Sequence, residues 1–390
     1  MDRQFRDRIQ RLLSRARDLE KRYAARLEES RTLVEAAMSN ERPERIPVTV
    51  SIGPEWSEWY LKNRYGVRVS EYWRDPKLLL EYELRTWIDS FTDFPDDRTF
   101  VIPSFFGPLG GVVLHPSIVG CRTTFPEDDF PWIDLRHVVF KDEAAIDAFE
   151  VPEIASSGLM PETLERLEQM ERLVGDILEL RILGGDGAPL QMAAYTRGLS
   201  QLVRDMYVAP GLVHKLMRKM MSVYEEIQRF YLERWGIRYA GGDIEGRFYD
   251  NPLSYFSPDL VERFVLPYYR EFAERCGWRH WSFETQDVMD GFIDLFKQIP
   301  VRTIHSLVSS SNLSAFREAL QPRGVRFKVF IAPGRLLSPA TIETELRKLA
   351  ETMGTAGGWM LSSGVIDSAI PEQNIHLFLE KARSLLRGEG

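Results

Sequence analysis

The chain has 390 residues, of which 44% are hydrophobic and 12% aromatic, with 58 acidic against 50 basic side chains. This composition is enough to bury a full core and excludes wholesale disorder and fibrous repeats. The net charge of -8 argues against a partner held through nucleic-acid phosphates. No run approaches the ~20 apolar residues of a membrane span, and the charged amino terminus differs from a secretory signal. We expect a globular cytoplasmic protein with no nucleic-acid or membrane partner.

Residues 1–40 carry apolar side chains at helical spacing among many charges, which predicts an amphipathic helical arm. Such an arm packs either on its own domain or against a second copy of the chain. The sequence has no Pro- or Ser-rich linker and no internal repeat after it. Residues 41–390 are therefore predicted to form a single domain.

From residue 46 onward, short apolar runs alternate with longer helical patterns. The predicted strand units are IPVTVSI, TFVIPSF, LRILGGDGAPLQMAAY, IRYAGGDIEGRFY, WRHWSFET, VRTIHSL, VRFKVFIA and GWMLSS. The later helices are predicted at 209–234, 258–275, 286–298, 312–320, 338–353 and 371–387. This alternation implies parallel strands joined by helical crossovers. About eight strands in this length favour a closed (β/α)8 TIM barrel with an N-terminal helical extension, and a doubly wound open sheet is the alternative.

The densest group of polar side chains ends the strand unit after Gly241. Side chains alternate along an extended segment, so its charged residues point to one face. The next helix is predicted to begin with Ser257 as N-cap and Pro258 in its first turn. We take the proton-transfer and charge-stabilising candidates from this group: Asp243, Glu245, Arg247, Tyr249 and Asp250. For Asp250, capping of the turn before Asn-Pro is an alternative.

Further candidates lie at the ends of the other strand units, where a barrel carries its active groups. Aromatic side chains are expected to wall a flat substrate pocket, and polar ones to bind the substrate's polar groups. For the two phenylalanines ordinary core packing is the alternative, and for the histidine a satisfied core position. The predicted substrate-binding residues are Trp56, Phe105, Phe106, Gln191, Tyr195, Arg197, His305 and Ser363.

The run YDNPLSYFSPDLVERFVLPYYREF resembles the uroporphyrinogen decarboxylase superfamily, whose members carry an aspartate, a Ser-Pro-acid helix start and a Phe-x-x-Pro-Tyr segment here. RPERIPV, GAPLQMAAYTRGLSQLVRDMYVAPGLVHKLM and IPEQNIHLFLEKAR resemble other segments of that family in the same order. The likeness covers nearly all of residues 42–388. It implies a (β/α)8 barrel, often dimeric, and a chemistry of either porphyrinogen decarboxylation or zinc-dependent methyl transfer involving a corrinoid or coenzyme M. It also places Asp250 at the family's aspartate.

The sequence departs from the family at both of its characteristic sites. Porphyrinogen decarboxylases carry an arginine-rich segment after the first strand, whereas this chain has SIGPEWSEWY, which would repel a substrate rich in carboxylates. The zinc-dependent methyltransferases carry His-x-Cys and a later Cys, because a thiolate-bound zinc activates the group in transfer. Here His280 matches the histidine, but Ser282 and Ser363 stand at or near the two cysteines. Porphyrinogen decarboxylation is therefore not expected, and the thiolate zinc site is missing.

Nitrogen and oxygen ligands remain as a second way to hold a metal. Cys121 and Cys276 show no metal-binding spacing. His280, Glu284 and Asp243 offer an imidazole and two carboxylates, which suit Zn²⁺ or another divalent ion. The alternative is a hydrogen-bonded polar pocket in which an arginine pairs with an acid.

Three functions follow from these expectations. The first is a methyltransferase that moves a methyl group from a small, aromatic methyl ether or amine to a corrinoid on a partner protein. The second is a decarboxylase or lyase acting on a small carboxylic acid, with an arginine holding the carboxylate and Asp250 or Tyr249 moving a proton. The third is a catalytically silent relative that binds a ligand. We expect the first, in a homodimer.

Overall fold

A computed structural model describes residues 2–39, 41–53, 57–108, 110–182, 188–236, 245–284 and 286–388. Within these residues the chain alternates short strands with helices, as predicted. None of the helices in this described part is long and apolar enough to cross a membrane.

The helices cover most of the chain. They are α1 (Asp2–Arg22), α2 (Ala24–Met38), α3 (Val69–Arg74), α4 (Pro76–Asp93), α5 (Leu114–Ile118), α6 (Glu143–Asp147), α7 (Met160–Val174), α8 (Pro189–Arg197), α9 (Leu199–Val208), α10 (Pro210–Trp235), α11 (Pro258–Phe264), α12 (Leu266–Cys276), α13 (Ile293–Phe296), α14 (Leu313–Leu320), α15 (Pro339–Met353) and α16 (Glu372–Leu385). As predicted, the Ser257 hydroxyl caps α11, accepting from the Leu260 N–H at 3.4 Å.

Six parallel strands form the central sheet, in the order β1-β8-β7-β6-β5-β4, and a separate antiparallel hairpin joins β2 to β3. Each of the last five strands in the chain pairs with its neighbour in sequence, which is the pattern of repeated right-handed crossovers. The strands are β1 (Val48–Ser51), β2 (Thr123–Thr124), β3 (Trp132–Ile133), β4 (Glu245–Tyr249), β5 (His280–Glu284), β6 (Val301–Val308), β7 (Arg326–Phe330) and β8 (Trp359–Val365).

Two predicted strand units differ from the structure. TFVIPSF forms no regular strand, because Pro103 lacks the N–H that a ladder needs. Phe106, the residue that follows this segment, makes a parallel bridge with Leu180. In the next unit the residues from Pro189 onward form helix α8, with the proline in the first turn, where its missing N–H costs nothing. The GGDG segment at 184–187 lies outside the described residues.

The two faces of the sheet have opposite character. On the outer face, Phe248 stacks on Tyr269 of α12 with ring centroids 4.0 Å apart, and Phe327 packs against Phe316 of α14. A Cβ at Gly246 would lie 1.7 Å from the Trp278 ring, so only glycine fits there. The outer face is therefore packed against helices. The strand residues that alternate with these outward residues point to the opposite side of the sheet, which we call the inner face.

The N-terminal arm packs on its own domain. Phe5 and Ile9 of α1 are buried in the main core. Arg8 Nε donates to Glu81 Oε2 on α4 at 2.9 Å, and Arg6 Nη1 donates to Asp176 Oδ1 at 2.6 Å. These contacts agree with the first alternative for the arm, in which it packs on its own domain.

Candidate functional site

The inner face of β4 to β7 carries charged and polar side chains where a barrel of this kind usually carries branched apolar ones. On β4, β5 and β7 these side chains lie between outward residues that are buried against the helices, as alternation requires. The set, which we call the inner-face cluster, is Glu245, Arg247, Tyr249, Ser282, Glu284, Arg302, His305, Ser306, Arg326 and Lys328.

The end of the inner-face cluster nearer the carboxyl ends of the strands is built around Arg247. Its guanidinium forms an ion pair with Glu284 and lies over the Tyr249 ring, 4.2 Å from the centroid. The Ser306 hydroxyl donates to the second oxygen of Glu284 at 3.2 Å. The Arg247 side chain is still 34% exposed and the Glu284 side chain 15%. The charged pair is therefore partly accessible to solvent.

A break in β6 turns Ser306 into this arrangement. The pairing of β6 with β7 shifts register between Ile304 and Leu307. Ser306 has φ 55°, and it is the only non-glycine residue with positive φ in the described chain. Because such a conformation is unfavourable for a residue with a Cβ, the surrounding structure must hold it. Its consequence is that His305 and Ser306 are both only partly buried.

The other end of the inner-face cluster contains the second carboxylate. The Ser282 hydroxyl donates to Glu245 Oε1, and Arg302 Nε lies 3.8 Å from Glu245 Oε2. Burial and the nearby Arg302 lower the pKa of Arg326, although Glu245 opposes this. Glu245 therefore faces two arginines, and positive charge is in excess at this end.

Two titratable groups of the inner-face cluster have shifted pKa values. Burial, and then the charges of Arg247 and Lys328, lower the pKa of His305 to about 2. Burial and Arg247 also lower the pKa of Lys328, against the opposing effect of Glu284 and Glu245. His305 is thus a neutral imidazole at ordinary pH. Over the whole cluster the cationic side chains outnumber the carboxylates, so the field at the inner face is positive.

Asp250, the predicted proton-transfer residue, caps a helix. Its side chain is fully buried. Oδ1 accepts from the Gln191 N–H at 3.1 Å and Oδ2 accepts from the Tyr269 hydroxyl. The Leu190 N–H points to the same tyrosine oxygen at 3.4 Å. Asp250 and Tyr269 together satisfy backbone N–H groups in the first turn of α8, a carboxylate being favourable at a helix N-terminus.

Helix α8 carries the other predicted polar residues, Gln191, Tyr195 and Arg197. Gln191 and Tyr195 contact each other, whereas Arg197 has different partners. Gln191 Nε2 donates to the Tyr195 hydroxyl at 2.9 Å, while Gln191 Oε1 is buried without a hydrogen-bond partner in the described part of the chain. Arg197, at the far end of the helix, is buried and pairs with Asp205 at 2.7 Å and with the Phe140 carbonyl at 2.7 Å. Arg197 is therefore committed to packing rather than turned to the inner face.

The remaining predicted pocket residues lie in different surroundings. Phe106 is fully buried core, whereas Phe105 is partly exposed beneath the Arg181 guanidinium at 4.7 Å. Ser363 is buried, and its hydroxyl accepts from the Ser51 N–H at 3.0 Å, so it links β8 to β1. Trp56 and Asp243 lie outside the described residues.

Comparison with known proteins places the chain in a family. Residues 29–385 match the family described as uroporphyrinogen decarboxylase (URO-D). The chain belongs to the URO-D family. Among solved structures, a methyltransferase from Methanosarcina mazei matches with a TM-score of 0.61 at 15% identity, covering 91% of this chain and 97% of that chain. At this identity the likeness concerns the fold, and it confirms the predicted TIM-barrel-like architecture. No curated protein matches the chain.

The described residues of this URO-D protein do not fit the predicted metal set. His280 begins β5 and Glu284 ends it, and four residues of strand span about 13 Å, too far for one ion to bind both. Glu284 is already neutralised by Arg247. No cluster of three or more His, Cys, Asp or Glu able to hold a metal occurs in the described part of the chain.

Several members of the site were missed by sequence reasoning. Lys328 and Arg326 alternate with buried residues in the run VRFKVF, and this alternation was the available signal for an inward polar face. Tyr269 lies in a helix, and only the tertiary fold brings its hydroxyl to Asp250. The alternative interpretation given above, a polar pocket in which an arginine pairs with an acid, describes the Arg247–Glu284 pair.

Proposed function

We propose that this URO-D protein is a methyltransferase that takes a methyl group from a small methyl ether or amine bound at the inner face. The proposal assigns the acceptor role to a corrinoid carried by a partner protein. Membership of the URO-D family supports it, as does the full-length fold likeness to a protein described as a methyltransferase. The solvent-accessible inner-face cluster supplies a place for the reaction.

The observation that carries the proposal is the positive field of the inner face. Removal of a methyl group as an electrophile leaves the bonding electrons on the substrate heteroatom, and in an ether the departing phenoxide or alkoxide develops negative charge. Fixed cations at that point stabilise this charge without reorganisation. Arg247 is suited to this task, because it is partly exposed, held in place by Glu284 and Tyr249, and oriented toward the open inner face.

The neighbouring residues would position the substrate. The neutral His305 imidazole can donate or accept a hydrogen bond without adding charge. Tyr249, whose ring lies under Arg247, offers an apolar wall for a flat substrate. In this proposal Asp250 acts indirectly: by capping α8 it fixes Gln191, whose buried Oε1 is available to a substrate donor.

The edge of the sheet at the carboxyl ends of its strands offers a docking surface for the partner. Tyr255, Val288 and Leu337 follow β4, β5 and β7 and are 62%, 46% and 50% exposed. The Ser254 hydroxyl donates to Asp287 at 2.9 Å, which holds the loops of the first two residues together. A bound corrinoid supplies the nucleophilic cobalt that accepts the methyl group. Exposed apolar side chains that form one contiguous patch are typical of a protein contact.

Methyl transfer to cob(I)alamin tests the proposal. Purified protein is incubated with methoxybenzene, 4-methoxybenzoate or trimethylamine, and methylcobalamin is followed by absorbance while the demethylated product is identified by mass spectrometry. We expect product from one of these substrate classes with the wild type, and loss with Arg247→Met. Absence of methylcobalamin with every donor would contradict the assignment.

A lyase acting on a small carboxylic acid is the second candidate, and the same surplus of cations favours it. Arg247 would hold the carboxylate, and Tyr249 beside it would transfer a proton. Release of ¹³CO₂ from carboxyl-labelled 4-hydroxybenzoate, without any cobalamin, separates the two functions. Carbon dioxide release with no methyl transfer would replace the methyltransferase by the lyase.

A further inference from the structure

Lys328 lies on the inner face in the middle of β7. Its neighbours Phe327 and Val329 are fully buried on the outer face, so alternation turns Lys328 inward. It pairs in register with Met360 of β8, and it is only partly buried. A cationic side chain is thereby placed in the wall of the proposed substrate site, one strand away from His305.

The Lys328 ammonium has no hydrogen bond or ion pair with any of the residues that the structure describes. The charges that act on it are Arg247, Glu284 and Glu245, and repulsion by Arg247 together with burial outweighs attraction by the two acids. A partly buried cation in this state gains when an opposite charge arrives. The surroundings of Lys328 therefore favour a bound anion.

Arg247 has unused capacity in the same place. One arm of its guanidinium contacts Glu284, but its Nε–H is buried with no hydrogen-bond partner in the described chain. A guanidinium donates in a planar fork that matches the two oxygens of a carboxylate or the oxygens of a phosphate. Glu284, which Arg247 contacts, pairs in register with His305 of β6, and Lys328 lies on the adjacent strand β7 beside the break at His305 and Ser306. Arg247, His305 and Lys328 therefore lie on the same face of neighbouring strands.

We propose that Arg247 and Lys328 form a subsite for an anionic oxygen group of the substrate, a carboxylate or a phosphate. Neutral His305 and the Ser306 hydroxyl lie beside this pair and can add uncharged hydrogen bonds. The subsite rests on the proposed function only in placing the substrate at the inner face. It narrows the substrate class to a small molecule that carries a negative charge.

Isothermal titration calorimetry with three matched probes tests this subsite. Benzoate, phenyl phosphate and benzamide share one ring and differ in the group presented: carboxylate, phosphate or neutral amide. We expect the wild type to bind one of the two anions at least tenfold more tightly than benzamide, and the tighter anion identifies the group. Equal binding of benzamide, or binding of neither anion, overturns the subsite.

Three variants locate the binding. Lys328→Met should weaken anion binding at least tenfold, and Lys328→Arg should retain most of it. Lys348→Met, which changes an exposed lysine on α15, is the matched control and should bind as the wild type does. Unchanged anion binding in Lys328→Met would also overturn the subsite. Lys328→Gln serves in the same test if the methionine variant does not fold.

This experiment separates the subsite from the proposed reaction. Binding of the probes needs neither a methyl acceptor nor turnover, so a failed methyl-transfer assay leaves its outcome unchanged. Conversely, the wild type could transfer methyl groups from methoxybenzene or trimethylamine, which carry no anionic group, and bind neither benzoate nor phenyl phosphate. That result would support the proposed reaction and contradict the anion subsite.

Discussion

Two acids at the ends of neighbouring strands, Glu284 as the last residue of β5 and Asp250 directly after β4, have similar partners and different surroundings. Each contacts a hydroxyl, from Ser306 in one case and from Tyr269 in the other. Glu284 faces a partly exposed arginine on the inner face, whereas Asp250 is fully buried against the first turn of α8. Glu284 is therefore partly open to solvent, whereas Asp250 holds a helix in place. Sequence spacing alone did not separate them.

The largest expected effect concerns the buried acid. Asp250→Ala leaves the Tyr269 hydroxyl and the Gln191 N–H buried without their carboxylate partner. We expect a loss of about 2 to 4 kcal/mol in the free energy of unfolding, measured by urea denaturation. Asp259→Ala, which removes an exposed acid in the first turn of α11, should cost less than about 1 kcal/mol. If Asp250→Ala kept full stability but lost all turnover, Asp250 would instead belong to the catalytic groups.

A second prediction uses pH to examine the inner face. His305 has a folded-state pKa of about 2, whereas an unfolded histidine has one of about 6.5. Below pH 6.5 the unfolded chain gains a proton that the folded protein does not bind, so stability falls as pH falls. Between pH 7 and pH 5 this difference in the pKa of His305 should lower the unfolding free energy of the protein by about 1 to 2 kcal/mol.

The variant His305→Asn should remove that part of the slope. His376→Asn, which makes the same substitution at an exposed position on α16, is the matched control. An unchanged slope in His305→Asn would mean that His305 titrates near its ordinary pKa, and the inner face would then be more open to water than described above.

A third prediction concerns the tyrosine that contacts the Asp250 cap. Tyr269→Phe removes the hydroxyl but keeps the ring stacked on Phe248. Burial and the Asp250 carboxylate raise the pKa of Tyr269 well above its ordinary value, so the hydroxyl is a donor at all accessible pH values. We expect a loss of about 1 to 2 kcal/mol by the same denaturation measurement. A loss as large as that of Asp250→Ala would indicate that the tyrosine, rather than the aspartate, holds the cap.

Most of the fold was predictable because the strands from β4 to β8 are marked by alternation and by helix signals between them. The Ser257 cap and the helices α10, α14, α15 and α16 lie close to their predicted bounds. The first half was harder. A proline interrupts TFVIPSF, and the start of α8 follows a glycine-rich run that looked like the end of a strand.

The site was predictable in its location but not in its assignments. Glu245, Arg247 and Tyr249 share a face, as alternation required. The role of His280 depends on its position at the start of β5, far from Glu284 at the end. The role of Arg197 depends on its contact with the buried Asp205. The sequence alone shows neither. Lys328 and Tyr269 needed the fold as well, since the charges around Lys328 and the carboxylate that Tyr269 contacts are distant in sequence.

Single-turnover methyl transfer by Arg247→Met, with its unfolding free energy measured alongside, is the most direct test of the central claim that the charged inner face carries the reaction. We expect a rate reduced on the order of a hundredfold, with an unfolding free energy within about 1 kcal/mol of the wild type. Arg347→Met, at an exposed arginine on α15, should change neither quantity. Full activity in Arg247→Met would contradict the account and move the reaction away from the inner face.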